Sequence, residues 1–393
     1  MKYIILHILV VLSFLFFGSC TSCEPKVKAD KEIKNINPLS HEDSVDFAIK
    51  AHKFDSIFTE FYHNRDFNGN VLIAQRGKVI FKKSYGFSNY KTRDRLKSST
   101  RFQIASISKQ FTAVAILQLI EKGLISYEDS VQKFFPDFPY PNVTIKLLLC
   151  HRSGLPNYIY FCDDIIKDQS KPLYNFQVVD SLIKYSPQRY YPPDTRFNYS
   201  NTGYMLLAKI VEEVSGMSFT QYMKENVFEP LEMHNSFIYE KGKVELQNAA
   251  IGYSYGPKEA IDNFLNGVTG DKGVYTTTED LLKWDQGLYT NKIISMNVLQ
   301  DAFKPWNDKV KTNENYGFGW RLRYLPDSSV VTYHRGWWQG FQSLLIRIPK
   351  DTTTIIVLRN RKTRHYIQFQ EFLDILYPEN NFFKSESDSI SEN

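Results

Sequence analysis

The stretch Phe102-Gln-Ile-Ala-Ser106-Ile-Ser108-Lys109-Gln-Phe-Thr-Ala-Val-Ala-Ile-Leu-Gln-Leu-Ile-Glu-Lys-Gly123 predicts a tight turn that leads into a long, mostly apolar helix. A helix with this much apolar surface is buried on all sides, so we expect the fold to be organised around it. Residues three apart lie on nearly the same helix face. The amine of Lys109 can therefore reach the hydroxyl of Ser106, whereas Ser108 points in another direction.

This spacing has a chemical meaning, because a serine hydroxyl is a weak nucleophile until a base removes its proton. A neutral lysine amine within hydrogen-bond reach can be that base. The free N–H groups and the positive dipole at a helix start also favour a negative oxygen beside Ser106. The same Ser-x-x-Lys spacing recurs at Ser88, Ser130 and Ser181, so the rest of the chain must single out the nucleophile.

Composition limits the classes of protein to consider. The 393 residues suffice for one large domain or two interleaved ones, and 42% of them are hydrophobic, as in globular proteins. The formal net charge is only +5, from 48 Lys and Arg against 43 Asp and Glu. Because the basic residues are spread among acidic ones, we predict no nucleic-acid partner.

The first residues resemble a bacterial lipoprotein signal. Met1-Lys2 gives a positive start, and the apolar run from Ile4 to Phe17 is too short to span a membrane. Gly18-Ser19-Cys20 follows as a small-residue cleavage site, so Cys20 is the candidate lipidated residue. Cys23 and an ordinary secretory signal are the alternatives. We therefore expect an exported protein of a bacterial envelope, periplasmic or surface-facing, attached to the membrane by an N-terminal lipid.

The composition of the chain predicts its domain boundaries. Residues 1–19 form the signal peptide, and residues 20–43, rich in Lys, Glu, Asn and Pro, form a flexible tether. The folded domain spans residues 44–378, and residues 379–393 form a disordered tail. Within the folded domain, Cys150 and Cys162 can either form a disulfide or remain buried free thiols.

The periodicity of the folded domain predicts strands near both ends of the chain and helices between them. A first helix from Ser44 precedes a hairpin whose strands are joined by Arg76-Gly77. The aromatic segment from Pro156 to Phe197 is either a wall of a substrate pocket or a packed subdomain. The later predicted strands are Tyr316–Tyr324, Val330–Tyr333, Phe341–Ile348 and Thr353–Leu358, and the predicted later helices are Ser218–Leu231, Thr277–Tyr289 and Thr363–Tyr377. We expect one sheet completed by both termini.

Three short motifs, in this order, carry a family resemblance: Ser106-Ile-Ser-Lys109, Tyr199-Ser-Asn201 and His334-Arg-Gly336. They resemble the three active-site motifs of the serine β-lactamase and penicillin-binding protein superfamily. The Tyr-x-Asn form resembles the branch of class C β-lactamases, D-Ala-D-Ala carboxypeptidases and esterases. The likeness to this branch covers roughly residues 50–375. It includes three further stretches, Leu148–Pro156, Gly273–Trp284 and Tyr316–Trp320.

The resemblance implies an α+β fold of the β-lactamase/transpeptidase type. An antiparallel sheet of N- and C-terminal strands is expected, flanked by helices and joined to a mostly helical second subdomain. The implied activity is that of an exported serine hydrolase, acting through an acyl-serine intermediate on D-Ala-type peptides, β-lactams or small esters. The alternative is a catalytically silent lipoprotein that binds penicillin or peptide. No group of side chains has metal-ligand spacing, so we expect neither a metal nor another cofactor.

The resemblance also implies roles for individual residues. Ser106 is the nucleophile that becomes acylated, and Lys109 is its base, with Tyr199 sharing that task and protonating the leaving group. Asn201 holds the amide oxygen of the substrate. The backbone N–H groups of Ser106 and Trp337 form the oxyanion hole.

The third motif departs from the Lys-Thr-Gly that is frequent in β-lactamases. His334 and Gly336 remain candidate substrate-binding residues, since histidine can hydrogen-bond Tyr199 or a substrate carboxylate, although it offers less fixed charge than lysine at neutral pH. Arg335 points to the other face of its strand and is a weak candidate anchor. This motif favours a peptidase or esterase over an efficient β-lactamase. His151, in a family-like segment, is expected to be structural.

Overall fold

The computed structural model describes residues 41–307, 313–325, 329–365 and 367–378. The predicted signal peptide, Cys20, most of the predicted tether and the predicted tail lie outside these residues. Within these ranges, no helix is both long and apolar enough to cross a membrane.

A seven-stranded antiparallel sheet is built from both ends of the chain, with its strands in the order β2-β1-β12-β11-β10-β9-β8. Two smaller sheets have the orders β3-β4 and β5-β7-β6. The strands are β1 (Gly69–Gln75), β2 (Lys78–Tyr85), β3 (Phe87–Asn89), β4 (Asp94–Arg95), β5 (Phe102–Gln103), β6 (Phe237–Ile238), β7 (Val274–Thr276), β8 (Glu314–Tyr316), β9 (Arg321–Tyr324), β10 (Val330–Trp338), β11 (Phe341–Ile348) and β12 (Thr353–Arg359). Since β1 lies beside β12, the prediction of one sheet completed by both termini is confirmed.

Helices cover both faces of this sheet, so every residue of β1 is buried. The helices are α1 (His41–Asn64), α2 (Ser108–Glu121), α3 (Ile145–Leu149), α4 (Tyr158–Ile165), α5 (Asn175–Tyr185), α6 (Asn201–Ser215), α7 (Phe219–Met223), α8 (Thr278–Gly287), α9 (Met296–Leu299) and α10 (Phe369–Leu376). On one face, α1 and α10 pack their phenylalanines against the sheet in one apolar cluster. On the other face, α2 lies in a larger cluster with α6 and α8. The predicted α+β class, with its helical second part, is confirmed.

The helix α2 is buried as predicted. All residues from Ser108 to Leu119 are buried, including the polar side chains of Lys109, Gln110 and Thr112. A buried polar group costs free energy unless it is hydrogen-bonded, so each of these side chains calls for partners. Thr112 donates to the carbonyl oxygen of Gly270, and the indole of Trp284 donates to Gln110.

Several element boundaries differ from the prediction. The predicted strand Tyr316–Tyr324 is two strands, β8 and β9, because the chain turns sharply at Gly319, which has a φ of 85°. There a side chain would lie only 2.9 Å from the carbonyl oxygen of Lys109, so the turn approaches α2 too closely for an extended strand. The last predicted helix begins six residues later than expected, at Phe369, and α1 begins at His41.

The two cysteines of the folded domain, Cys150 and Cys162, are buried free thiols and do not form a disulfide. Burial raises the pKa of Cys150 and of Cys162 to about 12, which keeps both as neutral thiols at physiological pH. The segment from Pro156 to Phe197 folds as α4 and α5 and their connections.

A buried ion pair joins the sheet to α8. The guanidinium of Arg347 on β11 donates to a carboxylate oxygen of Asp285, and Thr354 on β12 donates to the other oxygen. Both charged side chains are almost fully buried. The rings of Tyr289 and Phe303 lie over the guanidinium, 4.8 and 5.2 Å from its central carbon. Asp285 therefore depends on Arg347 as its buried counter-charge.

We predict that Arg347→Ala lowers the free energy of unfolding by about 3–5 kcal/mol, because the substitution leaves the Asp285 carboxylate buried without its cation. Urea unfolding followed by circular dichroism measures the change. As a matched control, Lys133→Ala removes an exposed pair with Asp129 and should cost less than about 1 kcal/mol. Equal effects of the two substitutions would contradict the importance given to the buried pair.

Candidate active site

Ser106 lies in a short 3-10 turn, Ala105–Ile107, between β5 and the start of α2. Ala105 has a φ of 47°, a left-handed conformation that costs an alanine roughly 1–2 kcal/mol. The hydroxyl of Ser343 on β11 donates to the carbonyl oxygen of Ile104, at 2.7 Å, and fixes the turn against the sheet. The strained turn leaves Ser106 partly exposed on a helix whose following residues are buried.

The amine of Lys109 is the most highly connected group at this position. The side chain is fully buried, and its Nζ donates to Ser106 Oγ at 3.0 Å, to Asn201 Oδ1 at 2.8 Å and to the carbonyl oxygen of Asp271 at 2.9 Å. An ammonium has three N–H groups, so these three acceptors satisfy it completely. The sequence-predicted contact between Lys109 and Ser106 is thus present, and Asn201 lies beside it.

The second motif occupies the start of α6. Tyr199 precedes the helix, and Lys109 Nζ lies 4.9 Å from the centre of its ring. The Tyr199 hydroxyl is buried and makes no hydrogen bond within the described part of the chain. Asn201 uses its side-chain oxygen for Lys109, so its amide N–H groups remain available to a ligand in the cleft. Both residues line the same cleft as Ser106.

The third motif lies on β10, whose edge runs past the Ser106 turn. Beyond Tyr333 this edge has no partner strand among the described residues, since the pairing with β9 ends there. A side chain at Gly336 would overlap the carbonyl oxygen of Ile104 and the Ser343 hydroxyl, so only glycine lets the strand lie this close. Trp337 follows it with a side chain 54% exposed at the cleft mouth.

His334 is buried, and both of its ring nitrogens are occupied within the protein. Nε2 lies 3.2 Å from the hydroxyl of Tyr316, and Nδ1 lies 2.6 Å from the carbonyl oxygen of Arg335. Tyr316 also contacts Nε2 of His151 at 3.2 Å. Burial, together with the nearby cations of Arg321 and Lys109, holds the pKa of His334 well below its usual range. His334 is therefore neutral, and Tyr316 is its partner in place of Tyr199.

The cleft around Ser106 has a volume of about 590 Å³ and a one-sided charge. Its charged lining residues are all cationic and include no carboxylate of the described chain; they are Arg321, Arg335, Arg359 and Lys362. The guanidinium of Arg321 lies 5.9 Å from the ring of Tyr199. It makes no hydrogen bond or ion pair within the part of the chain that the structure describes, whereas Arg335 donates to the carbonyl oxygen of Ile367. Arg321 thus places an unpaired guanidinium, as far as the described residues show, beside the predicted catalytic residue Tyr199.

The sequence did not predict two of these contributors, Arg321 and the backbone oxygen of Asp271. Arg321 directly follows the family-like stretch Tyr316–Trp320, and its adjacency to that stretch was the available signal. Asp271 acts through its backbone oxygen, which residue type does not reveal. In the segment Pro156–Phe197, Ile159 and Tyr160 line the cleft, and other residues are buried in the core. The segment is therefore in part a wall of the pocket and in part a packed subdomain, the two alternatives predicted for it. Among the described residues, no group of His, Cys, Asp or Glu is arranged to hold a metal.

Comparison with known proteins agrees with the three motifs. The family model described as Beta-lactamase matches residues 54–371. The chain is 35% identical over 329 residues to a penicillin-binding protein of Bacillus subtilis (strain 168), covering 80% of this chain and 72% of that protein. It is 27% identical over 316 residues to the protein flp of Staphylococcus aureus (strain MW2), covering 78% of this chain and 62% of that protein.

Solved structures show the same architecture. The penicillin binding protein from Bacillus halodurans superimposes with a TM-score of 0.70 and 27% identity, over 82% of this chain and 97% of that one. The D-amino acid amidase from Ochrobactrum anthropi SV3 superimposes with a TM-score of 0.66 over 84% of this chain and 97% of that one. At 20% identity, the likeness to the amidase shows the fold alone.

We predict that Gly336→Ala lowers the rate of p-nitrophenol release from p-nitrophenyl acetate by about a hundredfold, because the added methyl group displaces the turn that carries Ser106. A matched control is Gly123→Ala at the end of α2, where φ is 69° and no atom lies within 4 Å of the added carbon. The control introduces backbone strain without touching the turn, so its rate should match that of the unmodified protein. A similar rate loss in both variants would contradict the steric argument.

Proposed function

Since the chain belongs to the β-lactamase family of serine hydrolases, we propose that it cleaves amide or ester bonds through an acyl-serine intermediate on Ser106. The observation that carries the proposal is the buried amine of Lys109, 3.0 Å from Ser106 Oγ at the base of a cationic cleft. A base held this close is what an activated serine nucleophile requires.

The proposed reaction has two stages. In the reacting form Lys109 is a neutral amine, which donates to Asn201 and to the carbonyl oxygen of Asp271 and accepts from the Ser106 hydroxyl instead of donating to it. Ser106 Oγ attacks the carbonyl carbon of the substrate, and its proton passes to the lone pair of that amine. The backbone N–H groups of Ser106 and Trp337 stabilise the resulting oxyanion. The carbonyl re-forms when the leaving group departs with a proton delivered through Tyr199. Water then attacks the acyl-serine ester, which releases the acid product and restores the Ser106 hydroxyl.

The surroundings of Tyr199 and Asn201 support these roles. A buried hydroxyl without a partner costs free energy, so the Tyr199 hydroxyl favours a bound group that hydrogen-bonds it. The amide N–H groups of Asn201 are available to the carbonyl oxygen of a substrate, because Lys109 takes only the side-chain oxygen. A substrate therefore completes the hydrogen bonding of the second motif.

The charge of the cleft favours substrates with an anionic group near the scissile bond. Arg321 lies beside Tyr199, and the other charged residues of the lining are also cationic. Peptides that end in D-Ala and β-lactams both carry a carboxylate, which a guanidinium binds in a bidentate manner. Simple neutral esters lack this group. We therefore favour carboxylate-bearing peptides and β-lactams over neutral esters as the substrate class.

The cellular setting is a proposal from the sequence alone. The residues from Met1 to Cys20 support export and a lipid anchor on Cys20, which would hold the protein at a bacterial envelope membrane. Peptidoglycan-type peptides are present in that compartment, so the setting agrees with the proposed substrate class.

We predict that a penicillin adds its mass to the protein and that Ser106→Ala abolishes the adduct, because among the described residues Ser106 carries the hydroxyl that contacts the Lys109 amine. Intact-mass spectrometry over time, on protein lacking residues 1–23, measures both the adduct and its lifetime. Ser108→Ala is the matched control, since its hydroxyl accepts from the backbone of Val274 and should leave acylation unchanged.

A short-lived adduct with turnover of the drug would identify a β-lactamase, and a long-lived one a penicillin-binding peptidase. The same adduct in Ser106→Ala would contradict the assignment of the nucleophile. Binding without any adduct, with penicillin and with D-Ala peptides, would favour the alternative of a catalytically silent binding protein.

We predict that Arg321→Met reduces kcat/KM for a carboxylate-bearing ester about tenfold more than for its neutral methyl-ester analogue, because the substitution removes one charge-assisted contact. Arg321→Lys keeps the charge and should restore part of the preference. Steady-state hydrolysis of the matched ester pair gives the ratio. An unchanged ratio in Arg321→Met would show that the carboxylate is recognised elsewhere.

A further inference from the structure

His151 holds the backbone on both sides of Tyr199. Its carbonyl oxygen accepts from the N–H of Asn198 at 2.8 Å, and its Nδ1 accepts from the N–H of Ser200 at 3.2 Å. The imidazole ring lies against the Tyr199 ring, with 4.3 Å between the ring centres. His151 itself has a φ of 57°, a strained conformation for a non-glycine residue. His151, the second residue after α3, thus contacts the chain on both sides of Tyr199 and the Tyr199 ring itself.

The same imidazole begins a chain of hydrogen bonds that reaches the third motif. From His151 Nε2 the chain passes to the hydroxyl of Tyr316 at 3.2 Å and on to Nε2 of His334 at 3.2 Å. From Nδ1 of His334 it ends at the carbonyl oxygen of Arg335, at 2.6 Å. All three side chains are at least 97% buried, so water does not compete for these bonds.

The two ends of the chain determine the position of every proton in it. The N–H of Ser200 can only donate, so Nδ1 of His151 carries no proton and its Nε2 does. The carbonyl oxygen of Arg335 can only accept, so His334 carries its proton on Nδ1 and accepts at Nε2. The hydroxyl of Tyr316 then accepts from His151 and donates to His334. With both histidines neutral, this arrangement satisfies every member.

We propose that His151 and Tyr316 are positioning residues, which couple the segment carrying Tyr199 and Asn201 to the strand carrying Gly336 and Trp337 through this one-directional chain. Neither residue touches the reacting atoms. The effect on rate rests on the proposed function, whereas the proton positions do not.

Burial and the charges around the chain keep it in the neutral form. Burial is the main cause that holds the pKa of His151 and of His334 well below the usual range, and the basic groups of Lys109 on α2 and Arg321 on β9 add to this effect. Burial beside the Tyr204 and Tyr199 hydroxyl groups raises the pKa of Tyr316, so this phenol keeps its proton. A second proton on His334 would set two N–H donors against the single oxygen of Tyr316, and a second proton on His151 would face the N–H donor of Ser200.

Histidine side-chain NMR tests the proton positions directly. In protein carrying ¹⁵N-labelled histidine, the eight histidines are assigned by single His→Gln variants. At pH 7 we expect His151 as the neutral form protonated on Nε2 and His334 as the neutral form protonated on Nδ1. A charged ring, or the opposite tautomer at either position, would overturn the chain, whatever the activity of the protein.

Substitutions test the coupling. Tyr316→Phe removes the central hydroxyl, and His151→Asn keeps the acceptor for Ser200 but loses the link to Tyr316. We expect each to slow acylation of Ser106 about tenfold, as for one lost hydrogen bond. The double variant should be no slower than either single one, because both break the same link. Tyr222→Phe is the matched control, since its buried hydroxyl has no partner within the described residues, and should leave the rate unchanged.

The acylating probe is benzylpenicillin, followed by intact mass, with p-nitrophenyl acetate as a second probe. Multiplicative losses in the double variant, or rates in both single variants equal to that of Tyr222→Phe, would overturn the coupling. If the unmodified protein reacts with neither probe and hydrolyses no D-Ala peptide, the proposed function fails. The NMR measurement then tests the hydrogen-bond chain by itself: it shows which nitrogen of each histidine carries the proton, and whether His334 loses its single tautomer in Tyr316→Phe.

Discussion

The three hydrogen bonds of the Lys109 amine are the constraint on which the rest of the structure depends. A buried amine is costly to leave unsatisfied, and its three acceptors come from the Ser106 turn, the start of α6 and the loop before β7. These three parts of the chain are remote in sequence, so they must converge for the amine to be buried. The convergence defines the base of the cleft. Thr112, also buried on α2, donates to the same loop at the carbonyl oxygen of Gly270.

The sheet supplies the remaining wall of the site. Because β10 is placed between β9 and β11 but extends past the end of β9, its last residues present an open edge toward Ser106. The turn after it has positive φ at both Gln339 and Gly340, as the tight turn of a twisted hairpin requires. A hydrogen bond also holds the side chain of Trp338 in place, since its indole N–H donates to the side-chain oxygen of Asn266 at 2.7 Å. The wall of the cleft is therefore rigid.

Local rules were enough to predict a large part of this site. The contact of Ser106 with Lys109 follows from helix geometry, and the order of the three motifs identified the elements that meet. The contributions of Arg321 and Tyr316 depend on long-range packing, which no local pattern encodes. Asp271 contributes a backbone atom, so its residue type carries no signal. For His334, the sequence suggested Tyr199 or substrate as partners, but the histidine is too deeply buried and binds Tyr316 instead.

The pairing of β1 with β12 has a consequence for how the chain reaches its native state. The first strand of the sheet finds its neighbour almost three hundred residues later, so the central contacts are among the most distant in the sequence. Folding that depends on such pairings is slow, because the chain loses the entropy of closing a long loop before the stabilising contacts form. The sheet cannot close on the ribosome until β12 has emerged. Until then one edge of β1 has unpaired N–H and C=O groups and its apolar side chains are incompletely covered, which makes the unfinished chain prone to aggregate.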